Sequence, residues 1–388
     1  MIKQTGKLKK HFEKVSGMET SVDSFIERYK LLECIQCGVC TGSCPVSIKT
    51  DLNIRKLIHD IVIHRSVEVP PHDTLWSCTT CSTCEIRCPK GLAPVDTIVK
   101  LREIVVEKGR IASMIIDALE SIYKHGNPWG RIRSQRSEWT DGLKVDQFSD
   151  EADLLYYVGC TAAYDPRMQN IAKSIVKILD TARVNFGTLG NEESCCGDPA
   201  YSIGERGLFE LLLEDNKTLF EIHGVQHMIT TSPHCYNAFK KRYDKINFEV
   251  QHYTQYIANL VDIGTLKLSK EIDKTIIFHD PCFLGKQNNL YYEPRKILEN
   301  IPGVNLVEFE RSREKSLCCE GGGGRMWIEV SGERLAEIRV REAVNLGAKI
   351  LATSCPFCLS TLDDAVKTLG YDAMLEVMDV AEIVSEAI

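Results

Sequence analysis

The stretch "SLCCEGGGG" at residues 316–324 places two adjacent cysteines before a run of four glycines. A disulfide between neighbouring residues is strained, so the two thiols are expected to face a third object. Glycine lets the backbone approach such an object closely and leaves N–H groups free to bond to it. A cysteine pair also occurs in "SCCGDPA" at residues 194–200, which indicates that the chain contains a repeat.

Nine of the seventeen cysteines form two sets, and the later set repeats the spacing of the earlier one. When the later ones are moved back by 122 or 123 residues, they fall on the earlier ones, except that Cys355 falls on Ser232. Such self-similarity indicates two copies of one structural unit. We name the earlier cysteines the first repeat set: Cys160, Cys195, Cys196 and Cys235. The later cysteines are the second repeat set: Cys282, Cys318, Cys319, Cys355 and Cys358.

Short apolar runs precede the ligand positions of each repeat, and helical patterns lie between them. The runs are typical of buried strands that end at a ligand. They are "DLLYYVG" (153–159), "HMITTSP" (227–233), "TIIFHDP" (275–281) and "KILATSCP" (349–356). The helical stretches include "QNIAKSIVKILDTA" (169–182) and "GERLAEIRVREAVNLGA" (332–348). This alternation predicts a parallel α/β sheet in each repeat, with the cysteines on loops at strand ends.

The other eight cysteines lie in two runs of identical spacing, "CIQCGVCTGSCP" (34–45) and "CTTCSTCEIRCP" (78–89). Two gaps of two residues, one of three and a following proline are typical of [4Fe–4S] cubanes, and zinc ribbons lack this duplicated pattern. In two-cluster proteins the fourth cysteine of each run binds the other cluster. The spacing therefore assigns Cys34, Cys37, Cys40 and Cys88 to one cubane, and Cys78, Cys81, Cys84 and Cys44 to the other.

Composition excludes several classes of protein. Charged residues make up 26% of the chain and the net charge is −7, so binding to nucleic acid is not expected. The N-terminal stretch "MIKQTGKLKKHFEKV" lacks an apolar run after its lysines, so no secretory signal is expected. Nowhere do about 18 apolar residues run together, so no membrane span is expected. We expect a cytoplasmic protein that reaches the inner face of a membrane only through a partner.

The sequence patterns divide the chain into four parts and predict a multidomain fold of the α+β and α/β classes. Residues 1–125 are expected to form a mostly helical ferredoxin-like domain, with helices in "SVDSFIERYKLLE" (21–33) and "VDTIVKLREIVVEKG" (95–109). Residues 126–150 have scattered Gly, Pro and charge and are interpreted as a linker. The first repeat is assigned to residues 151–268 and the second to residues 269–388.

These motifs resemble those of the heterodisulfide reductase family. "CIQCGVCTGSCP" and "LWSCTTCSTCEIRCPKG" look like its small iron–sulfur subunit, C. "YYVGCTAAY", "SCCGDPA", "HDPCFLGK" and "TSCPFC" look like its cysteine-rich catalytic subunit, B. A fusion of the two in this order resembles the D subunit of the family, and the likeness covers nearly the whole chain from about residue 30.

The resemblance implies a function. Proteins of this family act in methanogenesis in anaerobic organisms, where they reduce the mixed disulfide of coenzyme M and coenzyme B to two thiols. A complete cysteine-rich motif holds a non-cubane [4Fe–4S] cluster through five cysteines, which here form the second repeat set. The resemblance implies that this cluster binds a substrate sulfur. Two cubanes feed the electrons in. The implied donor is a partner subunit, either a membrane cytochrome b or a soluble flavin and iron–sulfur complex.

Two departures from the family pattern bear on this expectation. Ser232 replaces the fifth cysteine of the first repeat, and Glu320 stands where the family motif often has glycine, as Gly197 does in the first repeat. A hydroxyl suits iron–sulfur iron less well than a thiolate. The first repeat set is therefore open to three interpretations: an altered or ordinary [4Fe–4S] cluster on four cysteines, a zinc or single-metal site, or an intact non-cubane cluster.

The polar residues beside the ligands have more than one possible role. His279 and His234 can donate protons or tune a cluster through hydrogen bonds. Lys286 and Arg325 can pair with substrate anions, compensate cluster charge, or simply be solvated.

The function of the whole chain is open in the same way. Instead of a disulfide reductase, the chain can be an electron-relay subunit of a glycolate, lactate or glycerol-3-phosphate dehydrogenase complex. It can also be the related subunit of a sulfite-reduction membrane complex.

Overall fold

The structure, a computed structural model, describes residues 21–67, 72–109, 111, 113–149, 151–244, 246–328 and 332–388. The stretch on which the expectation of no secretory signal rests lies outside these residues. Within the described part, no helix has both the length and the apolar character needed to cross a bilayer. The described residues before 126 are mostly helical, as predicted. Their helices are α1 (Val22–Arg28), α2 (Val39–Gly42), α3 (Ile54–His64), α4 (His72–Trp76), α5 (Thr83–Ile86), α6 (Pro94–Glu107) and α7 (Ser113–His125).

Local chemistry explains where the long helices of this domain begin. Helix α6 has Pro94 in its first turn, where the missing N–H is no loss, and Asp96 near its positive N-terminal end. Helix α3 is capped by Asn53, whose side chain accepts a hydrogen bond from the backbone N–H of Lys56 at 2.9 Å. The helices bury apolar faces. The short helices α2 and α5 each contain one cysteine of a run, Cys40 and Cys84, and the other cysteines of the runs flank them.

Each repeat contains one four-stranded parallel sheet, and the two sheets have the same topology. The strand order is β2-β1-β3-β4 in the first and β6-β5-β7-β8 in the second. The strands are β1 (Leu154–Tyr157), β2 (Phe186–Gly187), β3 (His227–Thr230), β4 (Glu249–His252), β5 (Thr275–Phe278), β6 (Asn305–Val307), β7 (Ile350–Thr353) and β8 (Glu376–Asp379). The predicted duplication and the predicted parallel α/β sheets are therefore confirmed.

Helices cover the sheets and join the two repeats. Helix α9 (Gln169–Thr181) of the first repeat packs against α18 (Val380–Ala387) of the second, and Arg167 pairs with Glu382 across the same junction at 2.5 Å. Buried residues of both sheets thus belong to one hydrophobic core. The helices are α8 (Cys160–Tyr164), α9 (Gln169–Thr181), α10 (Asp198–Ile203), α11 (Arg206–Ile222), α12 (Pro233–Lys241), α13 (Tyr253–Asp262), α14 (Gly285–Asn288), α15 (Tyr292–Glu299), α16 (Leu335–Asn345), α17 (Pro356–Leu369) and α18 (Val380–Ala387).

The segment between helix α7 and strand β1, interpreted from the sequence as a linker, packs on the first repeat. Trp139 and Phe148 are buried in the cores there. Gln147 forms a parallel bridge with Thr188, next to the edge of the first sheet. The segment also supplies Arg136, which is buried beside a cysteine of the first repeat set.

The glycine run after Cys319 joins the second repeat to the ferredoxin-like domain. A Cβ atom added at Gly322 would lie 2.6 Å from the carbonyl oxygen of Thr79, and one added at Gly323 would lie closer still to that of Cys78. The sequence predicts that these glycines let the backbone approach a cluster. In the structure, two of them pack against the cysteine loop of the ferredoxin-like domain.

Replacing Gly323 with alanine should therefore lower the free energy of unfolding by roughly 2–4 kcal/mol, because a left-handed φ and a steric clash add together. Gly347→Ala is the matched control, since Gly347 is also left-handed but its added Cβ would meet no described atom within 4 Å. That control should cost about 1–2 kcal/mol. Denaturant unfolding followed by circular dichroism measures both, and equal losses would contradict the tight packing.

Candidate iron–sulfur centres

Four cysteines from the two ferredoxin-like runs line one pocket near the surface, with Arg55 and Lys90 at its rim. Cys37 is exposed and the other three are half-buried. We name this group the outer centre: Cys34, Cys37, Cys40 and Cys88. The backbone N–H of Leu92 donates a hydrogen bond to the Sγ atom of Cys88 at 3.4 Å, a contact that favours a thiolate.

The remaining four cysteines of these runs are buried and interact electrostatically with one another. We name this group the inner centre: Cys44, Cys78, Cys81 and Cys84. Burial raises the pKa of the Cys78 thiol to about 12, so without metal this thiol is protonated. The spacing predicts two groups of four cysteines, each with three from one run and the fourth from the other. The structure brings together both of these groups.

Both cysteine loops share one backbone geometry. Residues Gln36 and Gly38 in the first run, and Thr80 and Ser82 in the second, have left-handed φ angles between 53° and 78°. Non-glycine residues adopt this conformation at a cost of roughly 1–2 kcal/mol each. The turns point consecutive thiols to one side, and three of the four residues that form them are not glycine.

The second repeat set converges at the carboxyl ends of strands β5 and β7. The Sγ atoms of Cys319 and Cys358 are 3.2 Å apart. Further thiol contacts link Cys282 to Cys318, Cys318 to Cys319, and Cys355 to Cys358. All five side chains are buried, which excludes bulk water from the space between them.

This set lies directly beside the inner centre. The thiol of Cys81 is within hydrogen-bonding reach of Cys318, and the Sγ atom of Cys318 lies 3.5 Å from the hydroxyl of Thr79. The contact follows from the glycine run, which draws the loop after Cys319 onto Thr79 and its neighbour. Two candidate metal centres of different domains are therefore in side-chain contact.

Two buried histidines border the second repeat set and differ in charge. Burial opposes protonation of His234, but Asp198, 2.8 Å from its Nδ1 atom, raises the pKa of His234 to about 10. Against the effect of burial, Cys358 and this imidazolium lower the pKa of Cys355 to about 5. His279 is neutral, because burial and then Arg339 lower its pKa to about 3.

The contacts of His279 define its tautomer. Arg339 donates from Nε to its Nδ1 atom at 3.5 Å, so the ring hydrogen is on Nε2. A ring nitrogen of His279 and the Sγ atoms of Cys319 and Cys358 all lie within 4.8 Å of one another. A neutral imidazole is suited to hydrogen bonding with sulfur, which favours the tuning role over proton donation for this residue.

Glu320, the departure from glycine, keeps the left-handed backbone of its counterpart Gly197, with φ of +75° against +82°. Its carboxylate is held by Lys49 at 2.8 Å, by Arg325 at 2.7 Å and by the backbone N–H of Leu335 at 2.8 Å. The strain of roughly 1–2 kcal/mol is thus offset by ion pairs, one of which reaches the ferredoxin-like domain.

Neither Lys286 nor Arg325 is a solvated surface residue. The buried Lys286 donates from Nζ to the hydroxyl of Thr83 at 2.8 Å and to the carbonyl of Ser316 at 2.5 Å. Arg325 is mostly buried and pairs with Glu320. The interpretation of these two as plain solvated residues is therefore wrong.

The first repeat set forms a similar chain of thiol contacts, from Cys160 to Cys195, Cys196 and Cys235. The backbone N–H of Gly197 donates to the Sγ atom of Cys195 at 3.5 Å. A small pocket of about 30 Å³ opens on these four thiols, and residues of both repeats line it. Four buried or half-buried thiols and an adjoining space can hold a metal centre.

A buried ion pair lies beside this set, and no motif spacing in the sequence marks it. The guanidinium of Arg136 lies 3.6 Å from the Sγ atom of Cys160 and pairs with Glu193. The Glu193 carboxylate also accepts the backbone N–H groups of Val158 and Gly159, each at 2.9 Å. The sequence signal that could have found the pair is weak, an acidic residue two positions before Cys195.

Ser232 caps a helix. It is the N-cap of helix α12, where its hydroxyl accepts the backbone N–H of His234 at 3.2 Å. At the equivalent position, Cys355 is the N-cap of helix α17 but its side chain makes no cap hydrogen bond, and its sulfur contacts Cys358 and His234 instead. The first repeat thus offers four thiols and the second offers five.

The residues present fit iron–sulfur centres. Their donors are thiols in groups of four or five, and backbone N–H groups point at several of the sulfurs, as at Cys195 and Cys318. Thiolates are the ligands that iron–sulfur clusters prefer, and N–H bonds to sulfur are one means by which proteins tune them. A histidine-rich or carboxylate-rich site would instead suit harder metals.

Ser232 provides a direct test of this arrangement. Both Ser232→Ala and Ser232→Cys should lower the stability of the metal-free protein by about 1 kcal/mol, because each loses the N-cap bond. Only Ser232→Cys should change the spectrum of the reconstituted first centre toward that of the five-thiol set, since it restores the fifth sulfur. Thermal unfolding and electron paramagnetic resonance (EPR) measure the two effects. Identical EPR spectra for both variants would contradict the inference that Ser232 occupies the position of a fifth ligand.

Comparisons with known proteins agree with this architecture. A family model described as a cysteine-rich domain matches residues 154–240 and 276–363. A model described as a 4Fe-4S dicluster domain matches residues 30–92. A crystal structure of a hypothetical protein from Helicobacter pylori superposes with a TM-score of 0.50 at 12% identity, covering 100% of this chain and 77% of that one, a likeness of fold alone.

Curated relatives are similar to this chain in sequence. The probable iron-sulfur-binding oxidoreductase FadF of Bacillus subtilis is 38% identical over 83% of this chain and 47% of its own. EtfAB:quinone oxidoreductase of Syntrophomonas wolfei is 34% identical over 82% of this chain and 47% of its own. The chain therefore spans about half the length of these two relatives.

A third relative matches from end to end. The D subunit of the dihydromethanophenazine:CoB–CoM heterodisulfide reductase of Methanosarcina mazei is 30% identical over 97% of this chain and 98% of its own. Its name belongs to the family whose motifs the sequence resembles. The chain belongs to the family of the heterodisulfide reductase D subunit, iron–sulfur oxidoreductases in which a dicluster ferredoxin domain precedes two cysteine-rich domains.

Proposed function

We propose that this chain is the catalytic iron–sulfur subunit of a heterodisulfide reductase-type complex. In this proposal the outer and inner centres hold cubanes, and the second repeat set holds a non-cubane cluster at which a small-molecule mixed disulfide is reduced. The disulfide is of the kind formed by coenzyme M and coenzyme B. Breaking its S–S bond takes two electrons and two protons and yields two thiols, and a redox partner supplies the electrons.

The observation that carries the proposal is the contact between Cys81 and Cys318. It links a buried four-thiol group to a five-thiol group, while Cys37 of the outer centre is exposed at the surface. A four-iron cluster on the five thiolates would supply single electrons and an iron atom able to bind a sulfur of the substrate. Electron entry and sulfur chemistry are thus assigned to opposite ends of one series of cysteines.

The pocket between the repeats borders the second repeat set. It is small, about 30 Å³, and reaches Pro356 and Phe357, which directly follow Cys355. His234 also lines it and carries a positive charge beside that cysteine. In the proposal, the wall formed by Phe357 and Pro128 keeps water from the reacting sulfur, and His234 attracts the developing thiolate.

Specific observations favour a second candidate, an electron-relay subunit. The two relatives with the higher identity are FadF and EtfAB:quinone oxidoreductase, and the first repeat set has four thiols where a complete motif has five. In this second candidate function, the chain passes electrons between an electron-transferring flavoprotein and a quinone, and the second repeat set is one more relay centre. The donor and the membrane attachment then belong to partner domains or subunits.

One experiment separates the two candidates. The purified, reconstituted protein should be brown, with about 12 irons for three four-iron clusters or about 16 if the first repeat set also holds one. It is reduced with viologen dye and then mixed with the coenzyme M–coenzyme B disulfide, simple disulfides, or a soluble quinone. We expect rapid reoxidation by a mixed disulfide, measured by the absorbance of the clusters.

The matched variants are Cys355→Ser, in the second repeat set, and Ser360→Ala, on the adjoining helix and half-buried. The first should lose reoxidation by disulfides while both cubane EPR signals remain, and the second should behave as wild type. Rapid-freeze EPR with iron-57 should detect a broadened signal only in proteins with the intact five-thiol set. Reoxidation by quinone alone would overturn the disulfide proposal and support the relay.

A further inference from the structure

The guanidinium of Arg102 lies at the junction of the three domains and is fully buried. From helix α6 it donates to the carbonyls of Leu75 at 3.0 Å and Cys78 at 2.6 Å in the ferredoxin-like domain. It also donates to Ser202 of the first repeat at 2.5 Å and to Gly323 of the second at 3.0 Å. All of these acceptors are neutral.

Lys286 has a similar environment. It follows Cys282 closely, and its buried ammonium group donates to the oxygens of Thr83 and Ser316, which are neutral as well. The same Thr83 hydroxyl lies 3.3 Å from the Sγ atom of Cys81. The ammonium is therefore separated from a thiol of the inner centre by a single hydroxyl group.

The other buried cations of the described chain have carboxylate partners. Five Lys and Arg residues of this part are buried, and three of them form ion pairs: Arg136 with Glu193, Arg295 with Asp280, and Arg339 with Glu342. Among described residues, no carboxylate forms an ion pair with Arg102 or Lys286. Both of these cations lie at the inner centre, one at Cys78 and the other near Cys81.

An unpaired buried cation is strongly destabilising, so a compensating negative charge is expected nearby. The Arg102 guanidinium lies against the backbone of Cys78, a ligand of the inner centre. A cluster held by four thiolates supplies such a charge, and the described acidic residues do not. The outer centre differs, because Arg55 and Lys90 at its rim are exposed and screened by water.

We propose that Arg102 and Lys286 compensate the charge of the inner centre and make it the higher-potential cubane of the two. Reduction adds one negative charge, which buried cations stabilise more strongly than exposed ones do. Net charge and solvent exposure are among the factors that set cluster potentials. An electron that enters at the outer centre then settles beside Cys318. The inference rests on the proposed assignment of the inner ligands.

The test is an EPR-monitored redox titration of the full-length reconstituted protein. Arg102→Gln and Lys286→Met remove the charges, and Arg102→Lys and Lys286→Arg keep them. The neutral variants should shift the midpoint potential of the inner cubane to more negative values and leave the outer one in place. The charge-retaining variants should titrate close to wild type, and Cys88→Ser identifies which signal belongs to the outer cubane.

Lys90→Met, at the exposed rim, is the control and should move neither midpoint measurably. The inference is overturned if the inner midpoint is unchanged in Lys286→Met, or if both cubanes shift equally. Should Arg102→Gln fail to fold, Lys286→Met decides the matter alone. A shift in a protein that reduces no disulfide would refute the disulfide proposal and keep this one, whereas the absence of a second cubane signal would refute the ligand assignment itself.

Discussion

The arrangement of the whole chain depends on one close approach, that of the Gly322–Gly323 backbone to the carbonyls of Cys78 and Thr79. Side chains larger than hydrogen would hold the second repeat away from the ferredoxin-like domain. With glycine there, Cys318 reaches Cys81, and Arg102 can bond to all three domains at once. The short distance that electron transfer requires is thus set by sterics before any metal is considered.

Charge is the second constraint, because many thiolates must be buried together. The residues that compensate this negative charge differ from site to site. Arg136 with its own carboxylate partner lies beside Cys160, the imidazolium of His234 lies beside Cys355, and two cations without carboxylate partners among the described residues lie at the inner centre. A paired cation contributes little net charge, whereas an unpaired one contributes a full unit. Ion pairing therefore provides a means to give chemically similar cysteine groups different properties.

Much of the fold and of the candidate site is predictable from cysteine spacing. The duplicated runs and the 122- to 123-residue repeat predict two parallel sheets and the grouping of thiols, because covalent spacing and strand ends restrict where ligands lie. Arg102, Arg136 and Glu193 are not predictable in this way, since a buried charge leaves no periodic pattern. The role of Ser232 as a helix cap is likewise not predictable, because a serine at this position could cap the helix or bind metal, and the sequence does not distinguish the two roles.

Burial of the inner centre also bears on how the protein is made. Cys78, Cys81 and Cys84 are buried. The second repeat covers the first two through Gly323 and Cys318, and Lys49 binds that repeat through Glu320. A cofactor can reach these thiols only while the two domains are apart. Any cofactor of the inner centre must therefore enter before the domains close, whereas the outer centre, with Cys37 at the surface, stays accessible afterwards.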